Sequence, residues 1–165
     1  MRLWLIAGLA LLSAPVLAAD ALNLDQVSGV YRDAFPNMVD GESRTSENIL
    51  EVVKVSATEA YFRTRLVFYN GFLCSAWGVA KVEGANLVWR ESNPDLNEKC
   101  VLKISFTGGK ATFSDDDGGC KRINCGFNAS FDGIDFDAKS RRPIRYMSRL
   151  MASRQYKEAM QERGK

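Results

Sequence analysis

The chain has 165 residues, with 22 lysines and arginines against 20 aspartates and glutamates for a net charge of +2, and it contains no histidine. Without an imidazole, Ser-His-Asp and Cys-His nucleophiles, histidine metal ligands and a histidine proton shuttle near neutral pH are all excluded. Carboxylate or lysine chemistry survives but leaves no spacing signature, so the chain reads as a non-catalytic protein without a cofactor.

At the N-terminus, Arg2 precedes an apolar run from Leu3 to Leu12, Pro15 breaks it, and Val16-Leu17-Ala18 supplies a cleavage site. This pattern predicts a signal peptide over residues 1–18 and export, to a bacterial periplasm or outside the cell. The run is too short to span a bilayer, so the expected mature chain has no transmembrane segment. Cleavage behind Ala18 leaves 147 residues, which suits one domain with its own core.

From residue 28 to about residue 137, runs of β-branched and aromatic residues alternate with Gly, Asn and Asp turn signals, predicting an antiparallel barrel or sandwich of about eight strands over residues 19–138. Ser28-Gly29-Val30-Tyr31 opens the first strand, and Ile49 to Val55 and Tyr61 to Tyr69 follow. Asn70-Gly71 turns the chain into Phe72 to Val82. Leu87 to Arg90, Val101 to Thr107, Ala111 to Ser114 and Ser130 to Phe136 complete the series.

Two hairpins can be read in register. A two-residue turn at Gly108-Gly109 sets Ile104 opposite Phe113 and Phe106 opposite Ala111, so these four and Leu102 share a core face. A four-residue loop from Glu83 to Asn86 sets Val82 opposite Leu87 and Ala80 opposite Trp89. The strand facing Trp89 is small on that side, with Cys74, Ala76, Gly78 and Ala80 at alternate positions. Either Trp89 and its neighbours fill the space those residues leave, or a lumen beside Trp89 and Gly78 takes an apolar ligand.

Asp115-Asp116-Asp117-Gly118-Gly119 lacks the alternating ligand spacing of a calcium loop and reads as a solvated turn, so no metal site is expected. The four cysteines, Cys74, Cys100, Cys120 and Cys125, form an even set, which in an oxidising compartment predicts two disulfides. Of the three pairings, closeness in sequence favours Cys120 with Cys125, leaving Cys74 with Cys100. The segment Cys120-Lys-Arg-Ile-Asn-Cys125-Gly126, followed by Phe131, Gly133 and Phe136, then reads as a short covalent loop leading into an aromatic-spaced strand. A rigid loop has little entropy left to lose on binding. Over about residues 72 to 136 the chain is similar to small exported bacterial proteins grouped around lysozyme inhibitors. That resemblance implies a disulfide-stapled β domain that blocks a cell-wall hydrolase.

Beyond Phe136, Pro143 stands where a first helical turn would begin, and Ile144, Met147, Leu150 and Met151 recur at helical spacing. The spacing predicts one amphipathic helix over residues 139–165, packed on the same domain through about Glu162, with Arg145, Arg149, Arg154 and Lys157 in water. Nine basic residues against two acidic ones give this segment +7, while residues 19–138 carry −6. Such a face can steer an anionic surface or an acidic protein. Nucleic acid is not expected, because the aromatics do not interleave with the arginines as a stacking platform requires.

The chain therefore reads as an exported, non-catalytic binding protein, an inhibitor or immunity-type protein acting on a peptidoglycan hydrolase. Lys121 and Arg122 are the expected contacts to a carboxylate-lined cleft, with Arg145, Arg149 and the connection over residues 92–99 as further contacts. The alternative is a barrel-type carrier of a small apolar ligand held at Trp89 and Gly78.

Overall fold

The structure is a computed structural model that describes residues 21–91 and 99–163. The expected signal peptide and residues 92–98 of the expected contact connection lie outside the described residues. Eight strands follow one another: β1 (Gly29–Val39), β2 (Glu42–Lys54), β3 (Glu59–Val67), β4 (Leu73–Glu83), β5 (Asn86–Arg90), β6 (Val101–Thr107), β7 (Lys110–Ser114) and β8 (Asp135–Asp137). Each pairs antiparallel with the next in sequence order, forming one continuous sheet.

Between barrel and sandwich, the outcome is a nearly closed barrel. Its ends meet where Val30 and Arg142 exchange backbone hydrogen bonds of 2.8 and 2.9 Å. Arg142 precedes Pro143, a position that sterically disfavours helix and favours the extended backbone this bridge needs. Gly29 makes the approach feasible: its φ is +152°, and a side chain there would bring Cβ within 2.8 Å of the Arg142 carbonyl oxygen.

Alternation along the strands separates two apolar layers. Tyr31, Leu50, Val52, Phe62, Leu66, Leu102, Ile104, Phe113 and Phe136 point inward and pack as the main core. The Gly108-Gly109 hairpin has the expected register, with Ile104 opposite Phe113 and Phe106 opposite Ala111. Val82 also pairs with Leu87, but Glu83 pairs with Asn86, so the connection is a two-residue turn at Gly84-Ala85 rather than a four-residue loop.

The row of small residues is explained by Trp89. A Cβ on Gly78 would sit 2.1 Å from Trp89 Nε1, and the indole also meets Phe62 edge-on at 5.5 Å. Cys74, Ala76 and Ala80 belong to the same packed cluster, so the indole occupies volume that larger residues on β4 would fill.

The first hairpin is much longer than its apolar pattern indicates. β1 and β2 pair over eleven positions from Gly29↔Val52 to Val39↔Glu42, turning at Asp40-Gly41, where both φ values are positive. β2 pairs with β3 only from Ile49 onward, so the outer part of the hairpin is an arm without a strand on its other edge. Amides hold that arm. Asn37 Nδ2 donates to the Phe68 carbonyl at 2.9 Å, Asn48 Oδ1 accepts from Val67 N at 2.7 Å, and Asn70 Oδ1 accepts from Asp40 N at 3.1 Å. At the other end, the expected strand from Ser130 to Phe136 shrinks to three residues, although Phe131 is fully buried.

Two disulfides form, but with a different connectivity from the favoured one: Cys74 pairs with Cys125 and Cys100 with Cys120. The reason is local. Gly119–Asn124 is a short helix, α2 (the first helix, α1, is Leu24–Val27), and Cys125 follows at its C-terminus. Helical winding aims residues five apart in different directions, so Cys125 reaches β4 while Cys120 reaches the residue just before β6. Asp116-Asp117 form the expected exposed turn, but Asp115 before them is buried and builds the helix: its carboxylate accepts from Cys120 N at 3.1 Å and Lys121 N at 2.7 Å.

The single helix expected from Pro143 is two helices, α3 (Met147–Met151) and α4 (Arg154–Glu162). Ser153 makes the break, because its hydroxyl donates to the Leu150 carbonyl and accepts from Tyr156 N, capping a new helix in place of continuing the old one. Ile144, Leu150 and Ala159 bury against Val30 and Tyr61 on the outside of the barrel, and Tyr156 meets the Tyr61 ring edge-on at 4.9 Å. Arg145, Arg149, Arg154 and Lys157 stay exposed as expected, but Met151 is exposed too. No helix among the described residues is long and apolar enough to cross a membrane.

Candidate functional site

Outward side chains of β1 to β4 fall into two adjacent rows. One runs Arg32, Ile49, Arg65, Ser75 and the other Val30, Glu51, Arg63, Trp77, each residue directly opposite the next across the ladder. The C-terminal segment covers Val30 but stops short of the first row. Tyr146, Arg149 and Gln155 overhang it instead, leaving a groove of about 480 Å³ with Ile49, Leu73 and Trp77 as its apolar wall. That volume lies within the range of small-molecule sites.

Glu51 organises the floor. It is 2 % exposed, accepts from Arg63 Nε at 2.5 Å and Nη2 at 2.9 Å, and accepts from the Tyr146 hydroxyl at 2.5 Å. A buried carboxylate needs this satisfaction, since an unpaired one would be strongly destabilising. The hydrogen bonds from Arg63 to Glu51 hold its guanidinium in the charged form, raising its pKa further. Burial first, and then the bond to Glu51, push the Tyr146 hydroxyl above its ordinary pKa, so it stays a neutral donor. Arg32 pairs with Glu47 at 2.6 Å on the rim and also reaches the Tyr146 hydroxyl.

The remaining two guanidiniums are different. Arg149 lies 5.2 Å over the Tyr146 ring, a cation–π contact, and neither Arg149 nor Arg65 has a carboxylate partner among the described residues. The groove thus sets four guanidiniums against one buried carboxylate, with an indole and two aliphatic side chains between them.

The residues singled out in the sequence are dispersed. Arg149 is at this groove, whereas Arg145 is exposed and does not line it. Trp89 and Gly78 line a second groove of about 250 Å³ on the barrel's outer side, between β4, β5 and α4, where Glu59, Arg90 and Arg163 also stand. Trp89 is only 8 % exposed there. Lys121 and Arg122 lie on α2, and Arg122 Nη1 donates to the Asp117 carbonyl at 3.1 Å.

Directly after α2 comes a feature that the sequence reading passed over. Cys125 is tied to Cys74, Gly126 N donates to the Leu73 carbonyl at 2.8 Å, and Phe127 then stands 88 % exposed. Tyr69 is 72 % exposed at the neighbouring β3–β4 turn, and Leu73 is also open. Among the described residues, no group of three or more Cys, Asp or Glu side chains is placed to hold a metal ion. No protein-family model, curated protein or solved structure matches the chain.

Proposed function

We propose that this is an exported, non-catalytic binding protein that blocks a partner protein, of the peptidoglycan-hydrolase class, through the segment from Lys121 to Phe127. The observation that carries the reading is Phe127. A phenylalanine left almost wholly in water, on backbone pinned by a disulfide and a hydrogen bond to β4, has the properties of an interface anchor: large apolar area and little conformational freedom to lose. Lys121 and Arg122 stand just before it, on a helix braced by Asp115 and the Cys100–Cys120 bond. An aromatic anchor preceded by two cations suits a cleft with paired carboxylates, the arrangement that glycan hydrolases use.

The interior beside Trp89 is packed, so the reading does not rest on a lumen. The test is turbidity loss of a cell-wall suspension by lysozyme-type hydrolases with and without the purified mature protein. Inhibition by the native protein that falls at least about tenfold in Phe127→Ala is expected, as for an anchor residue. No inhibition of any such hydrolase, or undiminished inhibition by a folded Phe127→Ala, Lys121→Ala, Arg122→Ala triple variant, overturns it.

A further inference from the structure

We infer that the groove on the outer face of β1 to β4 is a binding site for a small organic anion with an apolar body, an aromatic or short-chain carboxylate, sulfonate or phosphate. This goes beyond the protein-blocking role and rests on different residues.

Arg32 and Arg63 have carboxylate partners, while Arg65 on β3 and Arg149 on α3 both line the groove with none among the described residues. Two unneutralised guanidiniums converging on one recess raise the local positive potential and offer planar, bidentate donors to an oxyanion. The cost of holding them near each other is offset when an anion enters.

A site for an inorganic ion would be polar throughout, but this recess has Trp77, Ile49 and Leu73 along its wall and about 480 Å³ of space, far more than an inorganic anion fills. An apolar body laid on the Trp77 indole leaves its charged group at Arg65 and Arg149.

Arg63 is fixed by two bonds to buried Glu51, Tyr146 is fixed by a third, and Arg149 stacks over that tyrosine. The rim on the helical side is therefore set by the barrel rather than by a free loop, and binding costs little ordering. Arg65 sits on β3 between Ile49 and Ser75, with strands on both sides.

The test uses the full mature protein and the probe 8-anilinonaphthalene-1-sulfonate, with N-phenyl-1-naphthylamine as the uncharged body of similar shape. Saturable sulfonate binding, one event per chain, is expected from fluorescence and calorimetry, with the neutral probe at least about tenfold weaker. An Arg65→Gln, Arg149→Gln variant, whose exposed positions leave the fold intact by circular dichroism, is expected to lose about tenfold or more in sulfonate affinity while keeping its weak affinity for the neutral probe. Trp77→Leu should weaken both probes.

Equal affinity for the two probes, no binding, or binding undiminished in the double-arginine variant overturns the site; the last result would point to the Trp89 groove instead. Sedimentation with phosphatidylglycerol vesicles separates a free ligand from a membrane surface. The protein is expected to stay in the supernatant, and cosedimentation abolished by the arginine changes would assign the groove to lipid and overturn the small-ligand site. Phe127→Ala should not alter probe binding, so failure of the blocking role and failure of this site are told apart.

Discussion

The Tyr146 hydroxyl donates to Glu51 Oε1 at 2.5 Å, joining residues 95 positions apart and fastening the C-terminal segment to the second strand. Glu51 also takes both bonds from Arg63, so both of its oxygens accept, Oε1 twice and Oε2 once. Tyr146→Phe is expected to cost about 1–2 kcal/mol in urea denaturation, the loss of a charge-assisted hydrogen bond. Glu51→Gln is expected to cost about 3 kcal/mol or more, since it leaves the half-buried Arg63 without its counter-charge. Two unchanged midpoints would show that this network contributes nothing to the fold.

Burial pushes the Tyr31 phenol up to about 12, with Arg141 opposing weakly, and its hydroxyl donates to the Val27 carbonyl at 2.7 Å. An unfolded tyrosine ionises near pH 10, so above that pH the unfolded chain releases a proton the folded one keeps. Stability from this group is intact below about pH 10 and declines as pH rises toward 12, by up to about 2–3 kcal/mol. Denaturation curves at pH 9 and pH 11.5 should diverge more for the native protein than for Tyr31→Phe; identical divergence would remove Tyr31 from the account.

Gly78→Ala places a methyl where the Trp89 indole already is. Overpacking of this kind costs about 1–3 kcal/mol. A smaller partner should restore part of the loss, so Gly78→Ala combined with Trp89→Leu is expected to be less than additive. Strict additivity of the two changes in thermal unfolding would contradict the contact.

Non-reducing peptide mapping should recover Cys74 linked to Cys125 and Cys100 linked to Cys120. The bonds span 51 and 20 residues, so chain entropy alone gives about 4 and about 3 kcal/mol to the unfolding free energy. Serine pairs at 74 and 125 should therefore lower stability more than pairs at 100 and 120. The reverse order would mean that local packing, not loop closure, decides the contribution.

Where the sequence spoke clearly, two levels of it agreed. Ile104, Phe106, Ala111 and Phe113 alternate in phase around Gly108-Gly109, so turn chemistry and burial fix the same register. The arm from Ala34 to Glu47 carries no such alternation because much of it faces water on both sides, and only Asp40-Gly41 marked its turn. Cysteine pairing was hidden because it depends on where α2 winds, which depends in turn on Asp115 capping it. The arginine groove draws on β1, β2, β3, β4 and the C-terminal segment, so no spacing in the chain displays it. One trace was present: Arg63 and Arg65 alternate with Phe62, Thr64 and Leu66, placing two like charges side by side on one outer face of a strand whose other face is core.

The strictly sequential order of the sheet has a consequence for synthesis. Each hairpin can form as soon as its second strand has been made, so most pairing needs only a neighbour already present, and the loop to be closed stays short. The bridge between Cys74 and Cys125 waits for a later segment, and the seam between Val30 and Arg142 waits for almost the whole chain. A translation product stopped before Arg142 therefore keeps β1 as an unsealed margin, with backbone donors and acceptors open to a second molecule.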